Sequence, residues 1–257
     1  MTFPKIELHV HLEGTVRAGT LLQIAGRNGV PLPASSVEGL AALYEFRDFA
    51  HFLEVWLMTT GALRTERDFR QVVVDYAAEA AGLGAVYIEG IFTPAEAVSR
   101  GAGWDEVFTG YCDGAQQAAE QHGVRVRLTP DIPRGWPLDA AELTARYAVT
   151  YRDRGVVGLG LGGAEAEYPP QPYARAFAIA RDGGLGSVPH AGEAAGPAMF
   201  GTDLAADYAA AAHLGVSARD CYQAGLRGAL CDRQAKDALR RIGEAFDWAG
   251  LASAGQA

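Results

Sequence analysis

Pro4-Lys5-Ile6-Glu7-Leu8-His9-Val10-His11-Leu12-Glu13-Gly14 closes an apolar N-terminal run with two histidines at positions i and i+2. In a strand, that spacing puts both imidazoles on one face. The alternation of Ile6 and Leu8 with Lys5, Glu7 and His9 is imperfect, as suits a strand buried on both sides in a parallel sheet. His9 and His11 therefore emerge together at the C-terminal end of the strand. Neutral imidazole is the commonest protein ligand for zinc, and two rings one strand-step apart can share a tetrahedral ion. Alone, an H-x-H pair says little, so the rest of the chain has to supply context.

Downstream the sequence alternates between two periods. Ala18 to Gly29 has helical spacing and ends on Asn28-Gly29, a helix stop reinforced by Pro31 and Pro33. Phe46 to Leu57 reads as an aromatic helix too apolar to lie free in water. An amphipathic helix follows from Thr65, its N-cap, to Leu83, with Gly84 as its stop. Ala85 to Phe92 reads as a buried strand. The pattern then repeats with a helix Asp105 to His122, a strand Val124 to Leu128, and a helix Leu138 to Arg152. A strand Val156 to Leu161, a helix Pro172 to Arg181 and a fifth strand Leu185 to Pro189 complete it, the last delivering His190. Strands and helices alternating in this way predict an α/β fold with a parallel sheet of right-handed βαβ units.

The 257 residues are 49% hydrophobic, enough for one large core. Subtracting 31 acidic from 22 basic side chains leaves a net charge of −9. With no Lys/Arg-rich block, a nucleic-acid or anionic-membrane surface is not expected, and the expected partner is a small molecule. Cys112, Cys221 and Cys231 are odd in number and scattered, so they read as reduced thiols in a cytoplasmic protein. No signal peptide or 18-residue apolar span is recognised.

The opening motif, together with His190-Ala191-Gly192-Glu193, resembles the adenosine deaminase family, zinc hydrolases built on a TIM barrel. The resemblance runs in order from residue 1 to about 197 and resumes in the C-terminal helices. It implies a single hydrolase domain, residues 1–257, that binds Zn2+ through His9, His11 and His190. Three nitrogen ligands with room for water are a recognised catalytic zinc arrangement, in which the water's pKa falls towards neutrality. The resemblance makes Glu193 the catalytic residue that protonates the purine ring; the alternative reading is a glutamate at a helix start. It makes Gly163 the contact to the purine through its N–H, although Gly160-Leu161-Gly162-Gly163 also suits a tight turn. His11 and Glu13 complete the implied substrate contacts. Helices inserted after the first strand form a lid in this family, so Phe49, Phe52 and Trp56 are candidates to line the pocket; His51 reads as a surface or packing histidine.

Glu13 and Ala164-Glu165 depart from true adenosine deaminases, which usually carry Asp at the first position and Asp-Glu at the second. In both respects the chain looks more like relatives acting on adenine or modified nucleosides, and as a whole it resembles actinobacterial proteins assigned to aminodeoxyfutalosine deamination. The implied reaction is hydrolytic deamination of an aminopurine nucleoside, adenosine or aminodeoxyfutalosine, with release of ammonia. A phosphatase or amidase using the same histidines would want further carboxylates or a lysine.

Downstream of Glu193 the family pattern breaks. A His-Gly pair, the family's base, and Ser/Thr-Asp-Asp-Pro, whose first aspartate completes the zinc shell, do not follow. Instead Ala195-Gly196-Pro197 runs into Ala198-Met199-Phe200-Gly201-Thr202-Asp203-Leu204, which looks like the segment beyond Asp-Asp-Pro. The simplest account is an internal deletion near Pro197-Ala198, leaving barrel strands 1 to 5 and lid helices in residues 1–197 and C-terminal helices in 198–257. Five strands cannot close an eight-stranded barrel, so the fold expected is an incomplete TIM barrel with open edges. Helices from Val216, with Ser217 as N-cap, to about Trp248 are expected to pack across the gap, and a homo-oligomer is expected to cover the edges. Asp203 and Asp207 are candidate replacements for the lost ligand, although Asp203 more naturally caps a helix. A catalytically inactive remnant of the family is the alternative function.

Overall fold

In a computed structural model, the structure describes residues 3–191, 204–249 and 251. Five strands form one parallel sheet in the order β1 to β5: β1 Lys5–His11, β2 Ala85–Phe92, β3 Arg125–Pro133, β4 Gly158–Gly162 and β5 Gly186–Ser187. The helices are α1 Ala18–Asn28, α2 Val37–Ala41, α3 Phe49–Ala62, α4 Glu66–Gly82, α5 Pro94–Ser99 and α6 Trp104–His122. They continue with α7 Leu138–Thr150, α8 Ala174–Asp182, α9 Leu204–His213, α10 Ala218–Gly228 and α11 Arg233–Ala245. The architecture is α/β, as the alternation predicts, and it is that of a partial barrel.

Local chemistry explains where the elements stop. Gly29, at φ 62°, ends α1 in the left-handed region and donates its N–H back into the last turn. Thr65 and Asp68 form a capping box at the start of α4, and Asp68 also accepts from Arg27 and Asn28 of α1, tying the two helices together. The aromatic helix begins three residues later than the sequence suggests and runs further, because the Asp48 side chain caps it by accepting from the N–H of His51.

Strand β3 is the largest departure: it continues through Pro133, five residues past the expected end at Leu128. Asp131, Ile132 and Pro133 pair with Gly160, Leu161 and Gly162 of β4. Conversely, the fifth strand is short as a ladder, yet Val188 donates to Leu159 and His190 to Leu161, so the chain stays extended as far as His190.

Residues on the sheet alternate between two faces. Ile88, Phe92, Leu128, Leu159 and Leu161 face the layer of α1, α4, α6, α7 and α8 in the main core. The concave face carries Ile6, Tyr87, Glu89, Thr129, Asp131 and the glycines of β4. The C-terminal helices pack against the lower half of this face. Tyr222 and Leu226 of α10, with Ala235 and Leu239 of α11, join Ile6 and Tyr87 in a second core. Leu230 lies against Gly158 and Gly186, where an added Cβ would collide with it. Its N–H donates to Glu89 Oε1, and Arg127 pairs with Asp232 at 3.9 Å. Along β1, the Tyr208 hydroxyl donates to the carbonyl of Ile6 at 3.4 Å. No described helix is long and apolar enough to cross a membrane.

Candidate metal centre

The upper rim of the concave face is where the strands end, and β1 is bent there. Glu7 faces Ile88 and Val10 faces Gly90, so Leu8 and His9 together oppose a single residue, Glu89. This bulge puts His9 at φ 66°, the only positive φ at a non-glycine among the described residues. A left-handed histidine is strained by about 1–3 kcal/mol, and such strain persists where the surroundings over-determine it. Its effect here is to turn the His9 ring towards His190.

Three imidazoles converge. The Nε2 atoms of His9 and His190 stand 3.0 Å apart, and the ring centroids of His11 and His190 are 5.0 Å apart. One nitrogen from each of His9, His11 and His190 lies within 4.8 Å of the others. In a tetrahedral zinc site with bonds of 2.0–2.1 Å, ligand nitrogens stand about 3.3 Å apart, so small side-chain shifts let all three share one ion. Burial first, and then the neighbouring His190, hold His9 down at about 4; the same causes, with His9 added, hold His11 at about 3. Both rings are therefore neutral at pH 7, with lone pairs available to a metal. The donor set fits a divalent transition metal.

His190 is anchored from behind. The guanidinium of Arg134, buried beyond the end of β3, donates to the carbonyls of His190 at 3.0 Å and Tyr168 at 2.8 Å. Asp131 is also at the rim, its Oδ2 3.9 Å from His190 Nε2. The sequence reading missed both residues because it ended the strand at Leu128. The available signal was the period-2 run Arg127, Thr129, Asp131.

The remaining candidates separate. Glu13 lies buried beneath the rim in a short 3-10 turn, accepting from the N–H of Thr93 at 2.7 Å. Burial pushes its carboxyl up to about 7, against the opposing hydrogen bonds. Gly163 follows β4 at φ 103°, beside Arg134. From α3, Trp56 reaches the site: its ring is 6.2 Å from that of His11 and packs over Gly14, with Phe52 behind it. His51 is apart, its Nδ1 accepting from the N–H of Arg47. Glu193, the Pro197-Ala198 junction and Asp203 lie outside the described residues, as do the side chains of Phe49 and Asp207.

The adenosine deaminase family model matches residues 4–199. An aminodeoxyfutalosine deaminase from Acidothermus cellulolyticus is 43% identical over 328 aligned positions, taking in 95% of this chain and 92% of the relative. An alignment of 328 positions on a chain of 257 residues leaves at least 71 positions of the relative with no counterpart. Adenine deaminases match at 35–40% identity over 194–200 positions, and the chain spans 56–61% of their length. Among solved structures, the adenine deaminase of Arthrobacter aurescens superposes with a TM-score of 0.67 at 29% identity, over 87% of this chain and 68% of that one. An amidohydrolase from Burkholderia ambifaria with bound Zn gives 0.64 at 26%, over 84% and 57%. These neighbours are TIM-barrel amidohydrolases, a superfamily whose deaminases are generally metal-dependent.

Proposed function

We propose, for a chain that on these grounds belongs to the adenosine deaminase family, that His9, His11 and His190 hold a zinc ion and that the protein hydrolytically deaminates an aminopurine nucleoside. Aminodeoxyfutalosine is the preferred substrate and ammonia the product. The observation that carries this reading is the convergence of three imidazoles, two of them neutral by burial, at one rim of the sheet. Zinc, when bound there, supplies an activated water. The chain's own residues do the rest. Trp56 closes one wall, the N–H of Gly163 meets the purine, and Glu193 hands a proton to the ring nitrogen. Glu13 contributes on the nucleoside side from beneath His11. The 43% identity to the Acidothermus relative across nearly its whole length favours aminodeoxyfutalosine over adenine or adenosine.

A second reading, a catalytically inactive remnant, has its own support. The positions without counterpart fit a single internal excision, because the family match ends at residue 199 while the longest alignment still covers 95% of the chain. Downstream of Glu193 the sequence offers neither the His-Gly pair nor Ser/Thr-Asp-Asp-Pro. Loss of a general base alone costs roughly 10²- to 10⁴-fold in rate. Residues 1–197 then supply five strands and the lid, and residues 198–257 the helices, of one hydrolase domain. On the deaminase reading that domain works on a small molecule in the cytoplasm; on either reading a homo-oligomer covers the open edges of the sheet.

The test is ammonia release from aminodeoxyfutalosine, adenosine and adenine by the zinc-supplemented 257-residue chain, with His190→Ala alongside. Turnover that disappears in the variant supports the deaminase; a folded wild-type chain without turnover on any of the three supports the remnant. Sedimentation as a monodisperse monomer would count against the oligomer.

A further inference from the structure

We infer that Arg134 is a positioning residue of the metal centre: by holding two backbone carbonyls it fixes the point from which His190 presents its imidazole. The inference rests on the reading that the three histidines hold a metal.

The chain at His190 needs such a fixture. The ladder of β5 ends at Ser187. Beyond it the chain is tied to β4 by single bonds, from the N–H of Val188 to Leu159 at 3.0 Å and from that of His190 to Leu161 at 2.9 Å. The His190 carbonyl accepts from Nη2 of Arg134 at 3.0 Å, so both backbone polar groups of the residue are held and its Cα–Cβ bond is given one direction. That direction brings its Nε2 to 3.0 Å from Nε2 of His9. Zinc–nitrogen bonds tolerate errors of only about 0.2 Å, so a ligand on a loosely held backbone binds poorly.

Arg134 is itself braced. Its N–H donates to the carbonyl of Gly162 at 2.8 Å, its Nη1 donates to the carbonyl of Tyr168 at 2.8 Å, and the residue is 7% exposed. Gly135 follows at φ 81° beneath the Tyr168 ring and donates its N–H to the Tyr173 hydroxyl at 2.7 Å. One guanidinium thus joins the segments that leave β3, β4 and β5. For packing alone the side chain is a poor choice. Its Nε is buried without an acceptor, which costs stability, whereas an apolar side chain would strand no donor. What the guanidinium supplies is a planar fork whose two terminal nitrogens keep two carbonyls at a set separation.

The experiment loads the purified 257-residue chain with Co2+ and measures affinity by chelator competition and the visible Co2+ spectrum. The variants are Arg134→Met, which keeps much of the stem without donors, Arg134→Gln, whose amide stops short of both carbonyls, Tyr173→Phe and His190→Ala. Each is checked for folding by circular dichroism. Groups that orient a metal ligand are typically worth about 10-fold or more in affinity, and the inference predicts a loss of that size, with an altered spectrum, in Arg134→Met and Arg134→Gln. Tyr173→Phe removes a neighbouring bond of the same loop without touching His190, so its affinity and spectrum should stay at wild-type values. Wild-type affinity and spectrum in either folded Arg134 variant overturn the inference. So does a loss in Tyr173→Phe as large as theirs, which would mark general loosening of the loop. Weak binding in His190→Ala combined with either result leaves the three-histidine site standing and removes only the role of Arg134. A wild-type chain that takes up no Co2+ overturns both.

Discussion

The Oε1 of Glu89 on β2 accepts from the N–H of Leu230, 2.6 Å away and 141 residues further along the chain. The same oxygen accepts from the Tyr87 hydroxyl at 2.6 Å, so one carboxylate fastens the C-terminal segment to the concave face of the sheet. Burial raises its pKa. Glu89→Ala strands both donors in a buried site, and at roughly 1–3 kcal/mol for each it should cost about 2–6 kcal/mol. Urea unfolding, read as the shift in midpoint, measures the loss; Glu89→Gln, which keeps the acceptor, should recover most of it.

Gly225 in α10 offers a test of sign. Replacing a helical glycine by alanine normally gains about 1 kcal/mol. Here the new Cβ would lie 2.8 Å from Cβ and Cγ2 of Ile6, atoms close to the β1 backbone that cannot swing away. Gly225→Ala should therefore destabilise, by about 1–3 kcal/mol. A raised melting temperature would show that α10 does not pack on β1 this closely.

Glu13 predicts a pH dependence. Its folded pKa, about 7, is raised from 4.5 chiefly by burial, so the folded protein holds a proton that the unfolded chain has released. The associated stability is present below about pH 4.5 and is lost as the pH rises through 7. In Glu13→Gln the amide keeps an acceptor for the Thr93 N–H and carries no charge. The variant should match the wild type near pH 4.5 and exceed it at pH 8 by up to about 3 kcal/mol. Parallel stability curves for the two proteins from pH 4.5 to 8 would refute it.

Metal addition gives a further prediction. An ion that binds only the folded chain stabilises it by about 2.7 kcal/mol at 100 times its dissociation constant. Zinc should raise the denaturation midpoint of the wild type, and a chelator should reverse the gain. His190→Ala removes the imidazole that stands 3.0 Å from His9 and should respond much less.

Much of this was legible in the sequence. The span of β2 and the Thr65 cap follow from local residue chemistry alone. His9, His11 and His190 come together as their motifs imply, although the bulge that aims His9 has no signature in an H-x-H pair. Strand β3 runs on through Pro130 and Pro133, residues that lack the N–H a ladder uses and are tolerated here because they lie at the rim, where the ladder passes from β2 to β4. Asp131 and Arg134 lie beyond Leu128, where the strand is expected to end, and were missed with that stretch. The burial of Glu13 could not be foreseen, because it depends on a backbone N–H 80 residues away.

Leu230 has a consequence for any attempt at repair. It occupies the concave face against Gly158 and Gly186, ground on which the interior side chains of a complete barrel would have to stand. Grafting onto this chain the stretch that the Acidothermus relative carries without counterpart here is thus a contest between two tenants for one site: any side chains it brought to that face must evict Leu230, break its bond to Glu89 and dismantle the second core around Tyr222. A restored barrel would fold only where its own closure outweighs that eviction, and a graft should be designed with the C-terminal helices free to relocate.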